Sequence, residues 1–303
     1  MIGYQSAAYA QSLSAFGRPL HLPGCRGWVL ERDIAGTGER DAMGCYPLFT
    51  CANWEGLFDD LGSLPGRLVS LSMVVDPFTP LSEAELRANF DVTLPFKEHF
   101  VADAHTFDEA NVSKHHRYYS RRALRALTVA RETEPSSRLD HWCRLYSVLV
   151  NRHELNGIKA FSRESFAAQL AVPGLVMFMA SDRHGPVGAH LWFVENNVAY
   201  SHLAAFDDVG YASGAAYALY WEAIRTFRDE MRDCVRWIDF GAGAGTSSDA
   251  ADGLTAFKRG WASTTRTKFF CGRVFDKQRY DRLTVAAGAF GVRYFPAYRY
   301  GEF

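Results

Sequence analysis

Apolar residues in the first hundred positions gather in short β-rich runs, at 27–32, 44–49 and 68–75, separated by proline and glycine. The last run breaks at Asp76-Pro77. Ser82 followed three positions later by Glu85 is a capping-box arrangement, and it predicts a helix over 80–89. One more apolar run, 96–103, predicts a strand. Little concentrated polar chemistry is expected in this region.

From residue 107 the apolar spacing becomes helical, predicting helices over 107–127, 136–153 and 163–171. Three strands follow at 175–181, 187–194 and 199–205, the first two joined by the turn Asp182-Arg183-His184-Gly185-Pro186. A helix over 213–230, a strand over 234–240, a glycine-rich loop, a short helix over 254–261 and a strand over 267–275 complete the pattern. Helices, an antiparallel meander, then a helix and two more strands form an α/β (α+β) order.

Length and composition narrow the class. A chain of 303 residues with 48% hydrophobic content can bury a full core, as one large domain or two halves. The balance of 33 basic and 34 acidic residues gives no global field toward nucleic acid or membrane, so a polyanion needs a local patch. No run reaches the roughly 20 apolar residues that span a bilayer, and the start of the sequence shows no secretory pattern. The six cysteines lack ligand or C-x-x-C spacing, so they predict reduced thiols in a cytoplasmic protein and no metal.

Three segments could carry chemistry. At 205–216 a predicted strand runs into a helix through Gly210, Ser213 and Gly214, where free backbone N–H groups would meet phosphate oxygens; an ordinary helix cap is the competing explanation. At 237–245 the run WIDFGAGAG places Gly241, Gly243 and Gly245 after Asp239. That run looks like the first motif of an S-adenosylmethionine methyltransferase, but the 58 residues after Gly245 are too few for the rest of such a sheet. At 253–261 a short helix carries Phe257, Lys258 and Arg259. The run 114–125 adds a basic helix face through Lys114, Arg117, Arg121 and Arg125, either a phosphate groove or a solvated surface.

Taken together, KHHRYYSRRALRAL (114–127), RHELNGIKAFS (152–162), GPVGAHLWF (185–193), YASGAAYALYWEAI (211–224), WIDFG (237–241) and GLTAFKRGWAS (253–263) resemble the Fem-type and related acyltransferases of the GNAT superfamily. The resemblance implies two GNAT-like halves with mixed central sheets flanked by helices. It makes 1–105 a degenerate half and 106–303 the half with the active site. It also implies direct attack of an acceptor amine, on a small molecule or a peptide, upon a thioester or ester.

In that scheme Lys258, Asp239 and His153 are the catalytic candidates. Gly210, Ser213, Gly214 and Phe257 would bind the donor, and Arg121, Arg122 and Arg152 the substrate. The donor is acyl-CoA or an aminoacyl-tRNA, and the charge of −1 favours acyl-CoA over a whole tRNA. The pattern around 210–214 departs from the phosphate-loop consensus of acetyl-CoA enzymes. A methyltransferase and a catalytically silent scaffold remain the alternatives.

Overall fold

The computed structural model describes residues 1–243 and 253–302. In chain order the first elements are α1 (Ala7–Ser12), β1 (Arg18–Leu22), β2 (Gly27–Asp33), β3 (Arg40–Gly44), α2 (Leu57–Gly62), β4 (Ser70–Val74) and α3 (Glu83–Asn89). Then come β5 (Val92–Asp103), α4 (Lys114–Ala123), β6 (Thr128–Glu132), α5 (Leu139–His153), α6 (Arg163–Leu170), β7 (Leu175–Asp182), β8 (Gly185–Glu195) and β9 (Val198–Phe206). The last are α7 (Asp208–Ser213), α8 (Ala215–Asp229), β10 (Trp237–Gly241), α9 (Gly253–Arg259), β11 (Thr264–Val274) and α10 (Lys277–Ala286).

These elements form two compact units, one of residues 3–96 with 267 onward and one of 97–266. The division differs from the expected one at 105, because the C-terminal segment folds with the first unit. There β11 pairs with β4 from Phe270↔Val74 to Val274↔Ser70, and the Tyr298 hydroxyl bonds Ser70 at 2.7 Å and Asp41 at 3.1 Å. The first unit's strands run β1-β2-β3-β4-β11, antiparallel except for β3 and β4. The capping box at Ser82 and Glu85 is present.

Polar chemistry in this unit is denser than its sequence suggested. Buried Glu31 accepts from Arg18, Arg40 and Arg67, and the Arg67 guanidinium is the main cause holding its carboxyl down at about 2. Buried Asp41 pairs with Arg32 and Arg299. The partners lie far apart in sequence, which hid the cluster. Strand β3 also falls earlier than 44–49, ending at Gly44 before Pro47, which has no N–H for a ladder.

In the second unit the strand order is β5-β10-β9-β8-β7-β6. All neighbours are antiparallel except β9 and β10. Alternate side chains of β8 face opposite layers. His190 and Trp192 meet Tyr220 and Phe227 of α8, while Phe193 meets His202, whose Nε2 bonds Gln169 of α6. Helices α8 and α4 therefore cover one face, and α5 and α6 the other.

The expected helix over 107–127 is shorter. Ser113 caps α4, which stops at Ala123 so that 128–132 can pair with β7 as the edge strand β6. That strand is largely exposed and polar, and its weak alternation concealed it.

Helix α7 lies close on β8. A Cβ built on Gly210 would sit 2.1 Å from the Val187 carbonyl oxygen, and Asp207 N–H donates to that same oxygen at 3.0 Å. Gly210→Ala must push the helix off the sheet, and such overpacking costs about 1–3 kcal/mol. Urea unfolding is expected to show that loss without ligand; an unchanged midpoint would mean the approach is looser than described.

Candidate active site

Strands β9 and β10 pair over only three positions, Trp237↔Val198, Ile238↔Ala199 and Asp239↔Tyr200. Beyond Tyr200, β9 continues to Phe206 without β10. The register between β8 and β9 also slips between Leu191 and Trp192, leaving His202 as the extra residue of a bulge, which bends β9 near the parting. Two parallel strands that separate leave an opening at the sheet's end, and unpaired backbone groups there must find other partners.

Asp239 stands at the last pair. Its carboxylate accepts from His99 Nδ1 at 2.8 and 3.0 Å and from Gly241 N–H at 2.7 Å, and the residue is 2% exposed. Gly241 has φ +75, so the chain turns there in a conformation that favours glycine. The turn's carbonyls meet two ammonium groups: Lys258 Nζ donates to Ala242 O at 2.7 Å, and Lys97 Nζ to Gly243 O at 3.2 Å. Gly245 of the same run lies outside the described residues.

Lys258 is carried by α9, and α9 is fixed by a histidine. His116 Nε2 bonds the Phe257 carbonyl at 2.7 Å, and its Nδ1 meets Ser113 Oγ at 2.7 Å. A carbonyl only accepts, so Nε2 carries the proton and Nδ1 accepts from the serine hydroxyl. Burial lowers the His116 pKa, which keeps this neutral tautomer. Gly260 lies flat on the ring, where a Cβ would come within 2.1 Å of it. Phe257, Tyr217, Tyr220 and Trp261 pack around this contact, with Tyr220 and Trp261 stacked at 6.0 Å.

The structure thus brings Lys258, Phe257 and Asp239 to one place and sends other expected residues elsewhere. His153 is exposed at the end of α5, with no hydrogen bond, ion pair or ring contact among the described residues. Arg152 reaches Asp208 at 3.4 Å and lies over the Tyr211 ring at 4.1 Å. At the start of α7, the Asp207 side chain accepts from Gly210 N–H at 2.9 Å, so a carboxylate occupies the expected phosphate position. Ser213 Oγ donates back to Val209 O at 2.7 Å. Gly214, with φ +75, ends α7 and begins α8. Gly210 and Ser213 therefore have structural roles that need no donor.

Arg121 and Arg122 line an open groove of about 550 Å³ with Lys114, Arg117, Tyr118 and Arg125. Arg125 lies beyond the end of α4, yet it lines the same groove. None of the five cations makes an ion pair with a carboxylate among the described residues; Arg117 donates to the Glu109 carbonyl at 3.4 Å. Residues 110–259 match the family model described as an acetyltransferase (GNAT) domain.

The chain contains a GNAT domain.

Its fold agrees with that of several solved structures. FemX superposes at a TM-score of 0.67 with 12% identity, over 91% of this chain and 93% of FemX. The DUF2156 C-terminal domain of an Agrobacterium fabrum protein assigned as a lysylphosphatidylglycerol synthetase gives 0.62 and 12%, over 96% and 95% of the two chains. L-PGS from Bacillus licheniformis gives 0.59 and 13%, over 90% and 93%. No curated protein matches by sequence. The acyltransferase fold was expected, and the α/β architecture of mixed sheets flanked by helices is present.

His99, Lys97, Ser113 and His116 were missed as site residues. The alternation Lys97-Glu98-His99 put a lysine and a histidine on one strand face, a signal that the apolar residues around them obscured.

Two buried histidines make the GNAT unit acid-sensitive. Burial pushes His202 down to about 3, and burial, then the Lys258 charge, pushes His190 well below its ordinary value. Both are neutral when folded, while the unfolded chain protonates them below about 6.5. Stability is thus full above that value and falls as pH drops toward 3, by about 1.4 kcal/mol per unit per histidine. Urea titrations from about pH 7 to about pH 5 are expected to show this decline, and a shallower one in His202→Asn; an equal slope would contradict it.

Proposed function

We propose that this protein transfers an acyl or aminoacyl group to an acceptor amine at the Lys258 site in the 97–266 unit. The observation that carries the reading is the hold of Lys258 on the turn after Asp239, where β9 and β10 part. An ammonium fixed at that opening is placed to stabilise the charge that develops on a carbonyl oxygen under attack. The aromatic residues around Phe257 exclude water beside it, which strengthens the ammonium's effect. No covalent enzyme intermediate is required: positioning, one cation and a path for one proton suffice.

The donor is acyl-CoA or an aminoacyl-tRNA, and two features favour the second. The start of α7 is capped by Asp207, which repels a pyrophosphate. Five cations without carboxylate partners among the described residues line a groove along α4, the helix that His116 joins to the Phe257–Lys258 segment. A phosphodiester chain is the phosphate-bearing group that matches several cations in a row. The acceptor is an amine of a small molecule or a peptide. Residues 3–96 would lack a donor site of their own, since Arg18, Arg40 and Arg67 are engaged with Glu31 and Arg32 with Asp41.

Lys258→Met keeps the aliphatic stem and removes the charge. Single-turnover assays with alanyl-tRNA and with acetyl-CoA should show about a hundred- to a thousand-fold loss with whichever donor the wild type consumes. A near wild-type rate would reduce Lys258 to a helix-end charge. A wild type inert with both donors would favour the scaffold alternative.

Reversing Arg121 and Arg122 to glutamate tests the groove separately. Loss of two phosphate contacts should lower the slope of log Kd against log salt for tRNA by about two. Acetyl-CoA binding and the melting temperature should barely move, because exposed arginines contribute little stability. Equal losses of affinity and thermal stability would make the groove structural.

A further inference from the structure

An exposed tyrosine stands in the middle of the basic groove, and phosphate contacts alone do not account for it. The lining residues form two rows at a spacing of four: Lys114, Tyr118 and Arg122 in one, Arg117, Arg121 and Arg125 in the other. Tyr118 thus has a cation one turn before it, another one turn after it, and arginines alongside. No carboxylate lines the groove among the described residues.

We infer that this groove takes an unpaired stretch of RNA with a base stacked on the Tyr118 ring, so that it binds the single-stranded end of an aminoacyl-RNA rather than a duplex stem; the inference rests on the aminoacyl-tRNA reading above. In a duplex each base face is covered by its neighbours, and a protein surface meets phosphates and sugars. An unpaired strand offers phosphates and open π-faces together. A cationic groove with an aromatic side chain set into it is the surface that matches both.

The ring is free to act in this way. Tyr118 is 61% exposed, and its one ring contact among the described residues is a T-shaped one with Tyr119 at 5.3 Å. Its hydroxyl has no hydrogen bond there either. Tyr119, in contrast, is committed inward, stacked on Tyr217 at 5.2 Å and packed against His115 at 4.4 Å. The inner ring braces the outer one, and a braced platform loses less freedom when a base lands on it.

The groove also has a direction. The N-terminal end of α4 adjoins α9, where Ser113 N–H donates to Gly260 O at 3.2 Å and His116 Nε2 to Phe257 O at 2.7 Å. A strand whose reacting end sits at Lys258 therefore meets Lys114 first and Tyr118 about 6 Å farther along the helix. The stacked base belongs to the few nucleotides nearest that end.

The test measures fluorescence anisotropy of the full chain with four labelled probes: a short single-stranded RNA, the same strand paired with its complement, the same strand lacking its bases, and an acidic peptide of equal charge. The wild type should hold the single strand more tightly than the other three. Tyr118→Ser should weaken the single strand by about five- to a hundredfold, while leaving duplex affinity and the slope of log Kd against log salt unchanged. The strand without bases should not distinguish Tyr118→Ser from the wild type. Tyr118→Phe keeps the ring and should bind like the wild type, and both variants should melt normally because the side chain is exposed. Undiminished single-strand binding by Tyr118→Ser would overturn the inference while leaving the phosphate groove intact. So would a duplex or acidic peptide held as tightly as the single strand, or a Tyr118→Phe as weak as Tyr118→Ser. A wild type that binds no RNA in any form would remove the aminoacyl-tRNA reading as well, a result distinct from the first because no variant then differs from any other.

Discussion

Backbone pairing between β9 and β10 stops at Asp239, and the sheet must satisfy its polar groups there by other means. Three side chains do so: the Asp239 carboxylate accepts from Gly241 N–H, and the turn's carbonyls draw in Lys258 and Lys97. The groups that replace missing ladder bonds are an acid and two ammonium ions, with an imidazole bonded to the acid, and they are concentrated where a substrate carbonyl would enter. A fully paired sheet would have used amides for the same purpose and left nothing to react.

Helix α9 shows how packing serves this arrangement. It is only seven residues long, too short to stand by propensity alone. His116 supplies the tertiary anchor, bonding Phe257 O while Gly260 lies against its ring. The same histidine belongs to the helix whose outer face carries the arginines. Basic groove and Lys258 are consequently coupled through one neutral imidazole, whose lowered pKa protects the tautomer that the contact needs.

Much of this was legible in the residues. The β7–β8–β9 meander, helix α8, the strand at Asp239 and the Phe257–Lys258 pair lie close to where periodicity and motif order put them, since long apolar runs and turn residues act locally. What escaped notice depends on distant partners. Strand β6 is a polar edge recognisable only by its pairing with β7, Glu31 is surrounded by arginines drawn from three separate segments, and His99 meets Asp239 only when β10 pairs with β5. Gly210 and Ser213 show the opposite ambiguity. A glycine and a serine at a strand–helix junction serve close packing and local hydrogen bonding as readily as they serve phosphate, and here Val187 and Val209 take those roles.

Charge shows the same limit of global quantities. A net charge of −1 favoured a small donor, yet five cations gather on one groove without a carboxylate partner among the described residues. The central claim is that Lys258 faces the reacting carbonyl, and the most direct measurement is a crystal structure of the protein with a stable 3′-aminoacyl-amide of a short RNA mimicking the tRNA terminus. The account predicts the amide oxygen about 2.7–3.1 Å from Lys258 Nζ, with phosphates along α4. An analogue bound with its carbonyl outside hydrogen-bond reach of Lys258 would contradict it.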